Sequence, residues 1–248
     1  MERADSSNGS YHLGRWVARE DWPVWVFMAA IIAAAALIHP TLPDIVPTHY
    51  NIRGEADGFG GKATLTVTLP LVMLGTYGLL LGLPLIDPRR SSYPRFRSTF
   101  RVIRAGLVVF FGLLTLVTLA AAKGIGLPMG TAVIVLLSAM FILLGNYMGR
   151  IKPNWFIGIR TPWTLSDAEV WRRTHRWGGG AFVLAGVAGW ISVLFATETA
   201  FVIFLAAMLA ASVFSIVISY VFWRQEQTRP RPPVDDSPAD TTQSTTLA

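Results

Sequence analysis

Two polar stretches of this chain carry the side chains that could bind a ligand or a partner. The first lies between residues 41 and 62, and its segment 49–58 combines an imidazole, an amide and two carboxylates with turn-forming glycines. Such a set could recognise a peptide, a cation or a lipid headgroup. The alternative, which composition alone favours, is a folded connector that caps its neighbours. The candidate ligand-binding residues of this stretch are His49, Asn51, Gly54, Glu55, Asp57 and Gly58.

The second polar stretch, between residues 145 and 177, is rich in tryptophan and arginine. These residue types dominate protein–protein binding energies, so the stretch is a candidate docking platform for a partner protein. The alternative is an interfacial anchor, with tryptophans among the lipid headgroups and arginines near the phosphates. The candidate partner-binding residues are Asn146, Asn154, Gly158, Arg160, Pro162, Trp163, Trp171 and His175.

The same stretch also allows a membrane enzyme that acts on lipids or lipid-linked substrates. Arginine suits a phosphate group, and His175 could serve as an acid or a base. Against this alternative, no carboxylate pair is evident, and without cysteine the chain has no thiol nucleophile, disulfide or Cys-ligated metal. The scattered histidines show no metal-binding spacing, so we expect no metal, no cofactor and no catalytic residue. The residues of this alternative site are Asn154, Arg160, Trp163, Asp167, Glu169 and His175.

Composition indicates that the elements around these stretches are membrane helices. Hydrophobic residues make up 52% of the chain and charged residues only 15%, far from the balance of a soluble domain. Six apolar runs are each long enough to approach a bilayer-crossing helix, so the predicted fold is an all-α polytopic bundle of about six transmembrane helices. The runs cover residues 22–38, 63–86 (with Pro70 and Pro84 as kinks), 105–122, 127–148, 179–196 and 200–223.

The basic residues predict how this bundle is oriented. Outside the runs, 18 of the 21 basic residues lie in the two terminal segments and the second and fourth loops, all on one side of the bundle, and the positive-inside rule places that side in the cytoplasm. The chain is therefore expected in the cell membrane with both termini cytoplasmic, and its basic balance is no sign of direct nucleic-acid binding. Because the runs themselves lack ionisable residues, ion-coupled transport is disfavoured; a passive channel is the weakest alternative.

These assignments divide the chain into four parts. Residues 1–21 form a cytoplasmic N-terminal segment, 22–100 a two-span domain with the outer loop, 101–223 a four-span domain with the cytoplasmic loop, and 224–248 a disordered cytoplasmic tail. Within the cytoplasmic loop, Ser166 and Glu169 predict a capping box that starts a short helix. This helix should run from Asp167 to Trp177 and end at Gly178-Gly179-Gly180.

Both polar stretches also resemble a known family. The run Gly145-Asn146-x-Met148, Pro153-Asn154, Gly158-Ile159-Arg160-Thr161-Pro162-Trp163-Thr164-Leu165, followed by Trp171 and Thr174-His175, resembles the SdpI family of bacterial membrane immunity proteins. The run Pro47-x-His49-Tyr-Asn51-x-x-Gly54-Glu-x-Asp57-Gly58-x-Gly60-x-Lys62 looks like the small domain of unknown function that commonly precedes it.

The resemblance implies an immunity protein that binds or neutralises a secreted toxin peptide and signals to a cytoplasmic transcriptional repressor. The implied partners are membrane lipids, the toxin outside the cell and the repressor inside it. A kinked second span, which directly follows the outer loop, is the candidate element for carrying the signal.

Overall fold

The computed structural model describes residues 20–126 and 128–229. The predicted N-terminal segment up to residue 19, and the predicted tail from residue 230, lie outside the described residues. The structure consists of helices and one two-stranded sheet. In chain order the elements are α1 (Trp22–Ile38), β1 (Ile45–Tyr50), β2 (Ala56–Gly61), α2 (Leu69–Ile86), α3 (Arg97–Ala122), α4 (Met129–Met148), α5 (Pro162–Ser166), α6 (Ala168–Ser192) and α7 (Thr197–Gln227).

The fold is the predicted all-α polytopic bundle. Five helical segments in the described residues are long and apolar enough to cross a membrane, namely 22–41, 64–86, 90–122, 129–148 and 197–227. The remaining predicted span, 179–196, lies largely in α6, whose first turns carry charged residues. Large apolar side chains cover the outside of the bundle; Leu194 is 81% exposed and Leu37 is 76% exposed. Such a surface suits lipid and identifies a multi-pass membrane protein.

The long helices run alternately in opposite directions, so the loops gather at two ends. One end holds residues 87–104 and 149–168 and is called here the arginine-rich end; there the Arg89 guanidinium donates to the Leu165 carbonyl. The other, called the hairpin end, holds the β1–β2 hairpin, and there Lys123 donates to Thr41 at 2.9 Å. The starts of α1 and α6 and the end of α7 all lie at the arginine-rich end.

In the N-terminal half, α1, α2 and α3 pack around one apolar cluster that includes Met28, Met73 and Val108. A π-helical turn, Thr64–Thr68, precedes α2. Pro70 lies in the first turn of α2, directly after the π-helical turn, and Pro84 lies inside the helix.

The prediction of a short helix that ends at the triple glycine is wrong. Helix α6 continues through all three glycines to Ser192. Gly179 lies where α6 crosses α4, and a Cβ there would be 2.6 Å from the carbonyl oxygen of Gly145. A Cβ on Gly178 would be 2.5 Å from Ile159 and 2.9 Å from Ser215 on α7. The glycines therefore allow close helix packing in lipid instead of terminating the helix.

The predicted Ser166–Glu169 capping box is also wrong. A capping box forms one turn earlier, where the Thr161 hydroxyl accepts from the Thr164 amide and the Thr164 hydroxyl accepts from the Thr161 amide. Helix α6 is capped by Asp167, whose carboxylate accepts from the amides of Glu169 and Val170. A carboxylate at this position also interacts favourably with the helix dipole.

Candidate functional site

At the hairpin end, the stretch predicted to bind a ligand forms an antiparallel β-hairpin. Asn51 builds its turn, since the side-chain oxygen accepts from the amides of Arg53 and Glu55 at 2.9 and 3.1 Å. The Asn51 side-chain amide also donates to the Glu55 carboxylate at 3.0 Å. Asparagine mimics a backbone turn in this way, so Asn51 has a structural role in the hairpin.

The tip of the hairpin rests on the C-terminal half of the chain. Gly54 has φ +80°, which favours glycine, and a Cβ there would lie 3.4 Å from both Gly130 at the start of α4 and Thr197 at the start of α7. Arg53 and Glu198 approach to 3.9 Å in the same region. The hairpin thus touches the turns that begin two helices of the other half.

His49 and Asp57 are polar side chains of the hairpin that face solvent and contact each other. The His49 side chain is 73% exposed and the Asp57 side chain 44% exposed, and Nδ1 of His49 lies 2.5 Å from the Asp57 carboxylate. Gly58 has a packing role, because a Cβ there would be 2.8 Å from the Cβ of His49. Of the six predicted ligand-binding residues, His49, Glu55 and Asp57 therefore offer the functional groups.

The part of the predicted docking platform that runs from the end of α4 through α5, residues 145–166, is called here the docking loop. At the arginine-rich end, Asn154 organises the backbone of this loop. Its side chain is fully buried; the amide nitrogen donates to the carbonyls of Lys152 and Ile157, and the oxygen accepts from the amides of Phe156 and Ile157. All these bonds are 2.7 to 3.0 Å long. Both the oxygen and the nitrogen of this buried side-chain amide therefore have hydrogen-bond partners, which explains why an asparagine occupies this position.

His175 and Trp171 fasten this loop to α6, and both are buried. Nε2 of His175 accepts from the Ile159 amide at 2.9 Å, and Nδ1 lies 2.8 Å from the carbonyl oxygen of Trp171. The ring is therefore neutral, with its proton on Nδ1. Trp171 donates to the Ile151 carbonyl at 2.9 Å. Gly158, at φ +114°, passes so close to the imidazole that a side chain would collide with it.

The remaining predicted partner-binding residues are more accessible. Asn146, Pro162 and Arg160 are exposed, and Trp163 is half-buried against Tyr220 at a ring separation of 5.1 Å. Arg160 donates to the carbonyl of the exposed Trp155 at 2.6 Å. The predicted set therefore divides into residues that hold the loop in shape and residues whose side chains are accessible.

Asp87 is a site residue that sequence reasoning missed. It is 2% exposed, and its carboxylate accepts from the Arg89 amide, the Tyr93 hydroxyl and the Trp155 amide. The carboxylate thereby joins the end of α2 to the docking loop. Its position directly after an apolar run was visible in the sequence, but its partners in two separate loops were not.

A second group missed from sequence is a buried charge cluster where α1, α2 and α3 meet. The guanidinium of Arg104 lies 2.5 Å from the carboxylate of Asp21, and the two side chains are 6% and 1% exposed. The Tyr77 hydroxyl donates to the same carboxylate at 3.1 Å and accepts from Trp25 at 2.6 Å. Burial makes this pair a strong constraint on how the three helices meet.

The geometry does not favour the alternative enzyme site. Asp167 caps α6, Glu169 forms an ion pair with Arg172, and neither ring nitrogen of His175 is free. Across residues 20–126 and 128–229, no group of three or more His, Cys, Asp or Glu side chains is arranged to hold a metal ion.

Comparisons with known proteins match both halves of the chain. Residues 150–219 match the SdpI/YfhL protein family, and residues 26–74 match a domain of unknown function, DUF1648. Over 189 residues, the chain is 24% identical to the immunity protein SdpI of Bacillus subtilis strain 168. The aligned region covers 76% of this chain and 88% of that relative. No solved structure matches the chain. The residues that match DUF1648 include the hairpin, and the residues that match the SdpI/YfhL family include most of the docking loop, as the resemblance predicted.

Proposed function

We propose that this chain is an integral membrane immunity protein that protects its own cell by binding or neutralising a secreted toxin peptide. The observation that carries the proposal is the similarity to an immunity protein along most of both chains. That similarity extends over 76% of this chain, so it is too long to concern the docking loop alone. The two polar stretches lie at opposite ends of the bundle, which supports a function with one contact on each side of the membrane.

The proposal places the hairpin end outside the cell and the arginine-rich end, with both termini, in the cytoplasm. Its support is the positive-inside bias: of the basic residues described, only Arg53, Lys62 and Lys123 lie at the hairpin end. Because the chain has no cysteine, single introduced cysteines test the orientation directly. A membrane-impermeant maleimide should label Ile52→Cys in intact cells and Lys152→Cys only after lysis; the opposite pattern would reverse the orientation.

Toxin contact is assigned to the exposed face of the hairpin. His49, Glu55 and Asp57 carry the functional groups, while Asn51, Gly54 and Gly58 hold the hairpin in shape. The hairpin also exposes large apolar side chains, with Phe59 63% and Ile45 70% exposed. A polar pair beside exposed apolar groups suits a peptide that carries both kinds of side chain.

The cytoplasmic role is assigned to the exposed part of the docking loop. Asn146, Arg160, Pro162 and Trp163 are available for a repressor protein, while Asn154, Gly158, Trp171 and His175 shape the surface that they present. Helix α2 is the proposed connection between the two sites. It begins shortly after β2 and ends at Ile86, and the next residue, Asp87, accepts a hydrogen bond from the Trp155 amide of the docking loop.

Signalling along this route requires that toxin binding favour one of two positions of α2. The π-helical turn Thr64–Thr68 lies between the hairpin and α2, and such turns are often found at functional sites. The Thr66 hydroxyl within this turn lies 2.7 Å from Nδ1 of His39, which follows α1.

The test is expression in a toxin-sensitive bacterial strain, with membrane insertion checked by immunoblot. The protein should raise survival in the presence of the secreted toxin, and unchanged survival with the protein in the membrane would reject the immunity role. Asp57→Ala should reduce toxin binding. Arg160→Ala should leave toxin binding intact and weaken capture of the repressor; if it abolishes toxin binding instead, the two sites are not separate.

A further inference from the structure

The edge of strand β2 that faces away from β1 has main-chain N–H and C=O groups that are not used within the hairpin. The amide of Lys62 donates to the carbonyl of Asp44 at 3.1 Å, and in the same register Val46 lies opposite Gly60 and Pro47 opposite Phe59. In an antiparallel ladder, residue pairs that exchange main-chain hydrogen bonds alternate with pairs that do not. Asp44 and Lys62 are a bonded pair, so Phe59 and Gly61 belong to non-bonded pairs. The N–H and C=O groups of Phe59 and Gly61 therefore point away from β1. Within residues 20–126 and 128–229, neither amide donates to a main-chain carbonyl outside the hairpin.

The opposite edge of the hairpin is partly blocked. Pro47 lies at an outward-facing position of β1 and has no N–H to donate. On β2, by contrast, Phe59 and Gly61 are both exposed, and a Cβ on Gly61 would meet nothing within 4 Å. The edge of β2 is therefore the one that another strand can approach.

The side chains beside this edge indicate what would bind there. Register and strand alternation place Ile45, Pro47 and Phe59 on one face of the hairpin, and Asp57 lies two residues before Phe59 on the same strand. Asp44 is neutralised by Lys62, whose ammonium hydrogen-bonds to it at 3.0 Å and holds the pKa of that carboxyl below its usual range. One oxygen of the Asp57 carboxylate lies 2.5 Å from Nδ1 of His49, and its other oxygen can pair with a basic side chain of the peptide next to an apolar surface.

From this arrangement we infer that the free edge of β2 binds an extended segment of the secreted peptide as a third strand. The inference rests on the proposed function and specifies how the peptide is recognised. Main-chain hydrogen bonds to Phe59 and Gly61 would supply affinity, while the Phe59 face and Asp57 would select apolar and basic side chains. Recognition of this kind depends on the backbone of the peptide as much as on its side chains.

The experiment uses the full chain in nanodiscs and a fluorescein-labelled synthetic peptide of alternating valine and lysine as the probe. Its control is the same peptide with every backbone nitrogen methylated, which keeps the side chains and removes all main-chain donors. The unmodified probe should bind, and it should slow hydrogen exchange at the Phe59 and Gly61 amides. Methylation should weaken binding by about tenfold or more, as expected from losing main-chain hydrogen bonds.

A matched pair of variants tests the same edge from the side of the protein. Gly61→Pro removes an outward N–H, whereas Gly61→Ala keeps it and adds a Cβ in open space. Binding of the probe should fall about fivefold or more in the proline variant, in line with one lost hydrogen bond, and stay unchanged in the alanine variant. Hydrogen exchange at Lys62, whose amide is bonded within the hairpin, reports whether the proline variant keeps the hairpin.

These measurements separate the two proposals. If the wild-type chain protects cells but the probe does not bind, or binds equally well when methylated, strand addition is wrong while the immunity role stands. Binding that requires anionic lipid and ignores Gly61→Pro would show that the hairpin face contacts the membrane, and would also overturn the inference. If the probe binds through the edge but the chain protects no cell, the immunity role fails and the peptide-binding edge remains.

Discussion

The amide of Trp155 donates a 3.1 Å hydrogen bond to the carboxylate of Asp87, although 68 residues separate the two in sequence. The Tyr93 hydroxyl donates to the same carboxylate oxygen at 2.9 Å, and the Arg89 amide donates to the other at 2.7 Å. One buried side chain therefore holds the end of α2, the segment that follows it and the docking loop together. Because α2 begins beside the hairpin, this contact completes a continuous structural link between the two ends of the bundle.

Replacing Asp87 by asparagine should weaken this junction. All three partners are donors, so either orientation of the new amide would point its NH2 group at a donor. We expect a loss of about 1–3 kcal/mol in stability, seen as a lower melting temperature in detergent by tryptophan fluorescence. Asp44→Asn is the control, because that side chain is 93% exposed and a surface ion pair contributes little. Equal melting temperatures for the two variants would contradict the role of Asp87.

The triple glycine of α6 provides a prediction with a control at the next residue. Gly179→Ala places a methyl group against the Gly145 carbonyl, whereas a Cβ on Gly180 meets nothing within 4 Å. Overpacking should cost the Gly179 variant about 1–3 kcal/mol, while Gly180→Ala should be neutral or more stable by up to about 1 kcal/mol through helix propensity. Thermal unfolding of both variants and the wild type in the same detergent compares their stabilities. A Gly179→Ala protein that is more stable than the wild type would mean that α4 and α6 do not pack closely there.

The sequence predicted the helical bundle because long apolar runs leave few other structures in a membrane. It placed the start of α6 at Asp167, one residue before the observed first residue Ala168, but it did not predict that the helix continues to Ser192. Glycine is a common helix terminator in soluble proteins, but Gly178 and Gly179 serve contacts with α7 and α4 that only the folded chain reveals. The Thr161–Thr164 box was missed because Ser166 and Glu169 match the usual Ser/Thr-x-x-Glu/Gln pattern, whereas Thr164 takes the place of the Glu or Gln in the box that forms.

Residue type and spacing drew attention to two polar stretches, but they did not indicate which of their side chains hold the local backbone. The motif residues of both stretches do come together, but Asn51 and Asn154 hold turns, and His175 is a buried brace for the loop. Amides and imidazoles serve ligands and backbone equally well, so residue type alone cannot distinguish the two uses. Asp87 and the Arg104–Asp21 pair depend on contacts between distant segments, which no local pattern records.

His175 should act as a structural residue and not as an acid or base. His175→Ala would leave the Ile159 amide without its acceptor and open a cavity, so we expect a loss of about 2–4 kcal/mol. His175→Gln, which can offer an acceptor oxygen, should recover part of that loss. Both variants are measured by thermal unfolding and by survival in toxin at a temperature where each remains folded. A fully folded His175→Gln protein that gives no protection would point to a chemical role for the imidazole.

The buried pair formed by Arg104 and Asp21 should show strong coupling. Removing either charge leaves its partner buried without a counter-charge, so Arg104→Met or Asp21→Asn alone should cost about 3–5 kcal/mol. In the double variant no buried charge is left unpaired, and the Tyr77 hydroxyl can still donate to the side-chain oxygen of the introduced amide. We therefore expect the double variant to be at least as stable as either single variant, because replacing a whole buried pair is often close to neutral. The three proteins and the wild type form a double-mutant cycle measured by thermal unfolding in detergent. Additive losses would show that the two side chains do not interact, and that the contacts among α1, α2 and α3 depend on their apolar cluster alone.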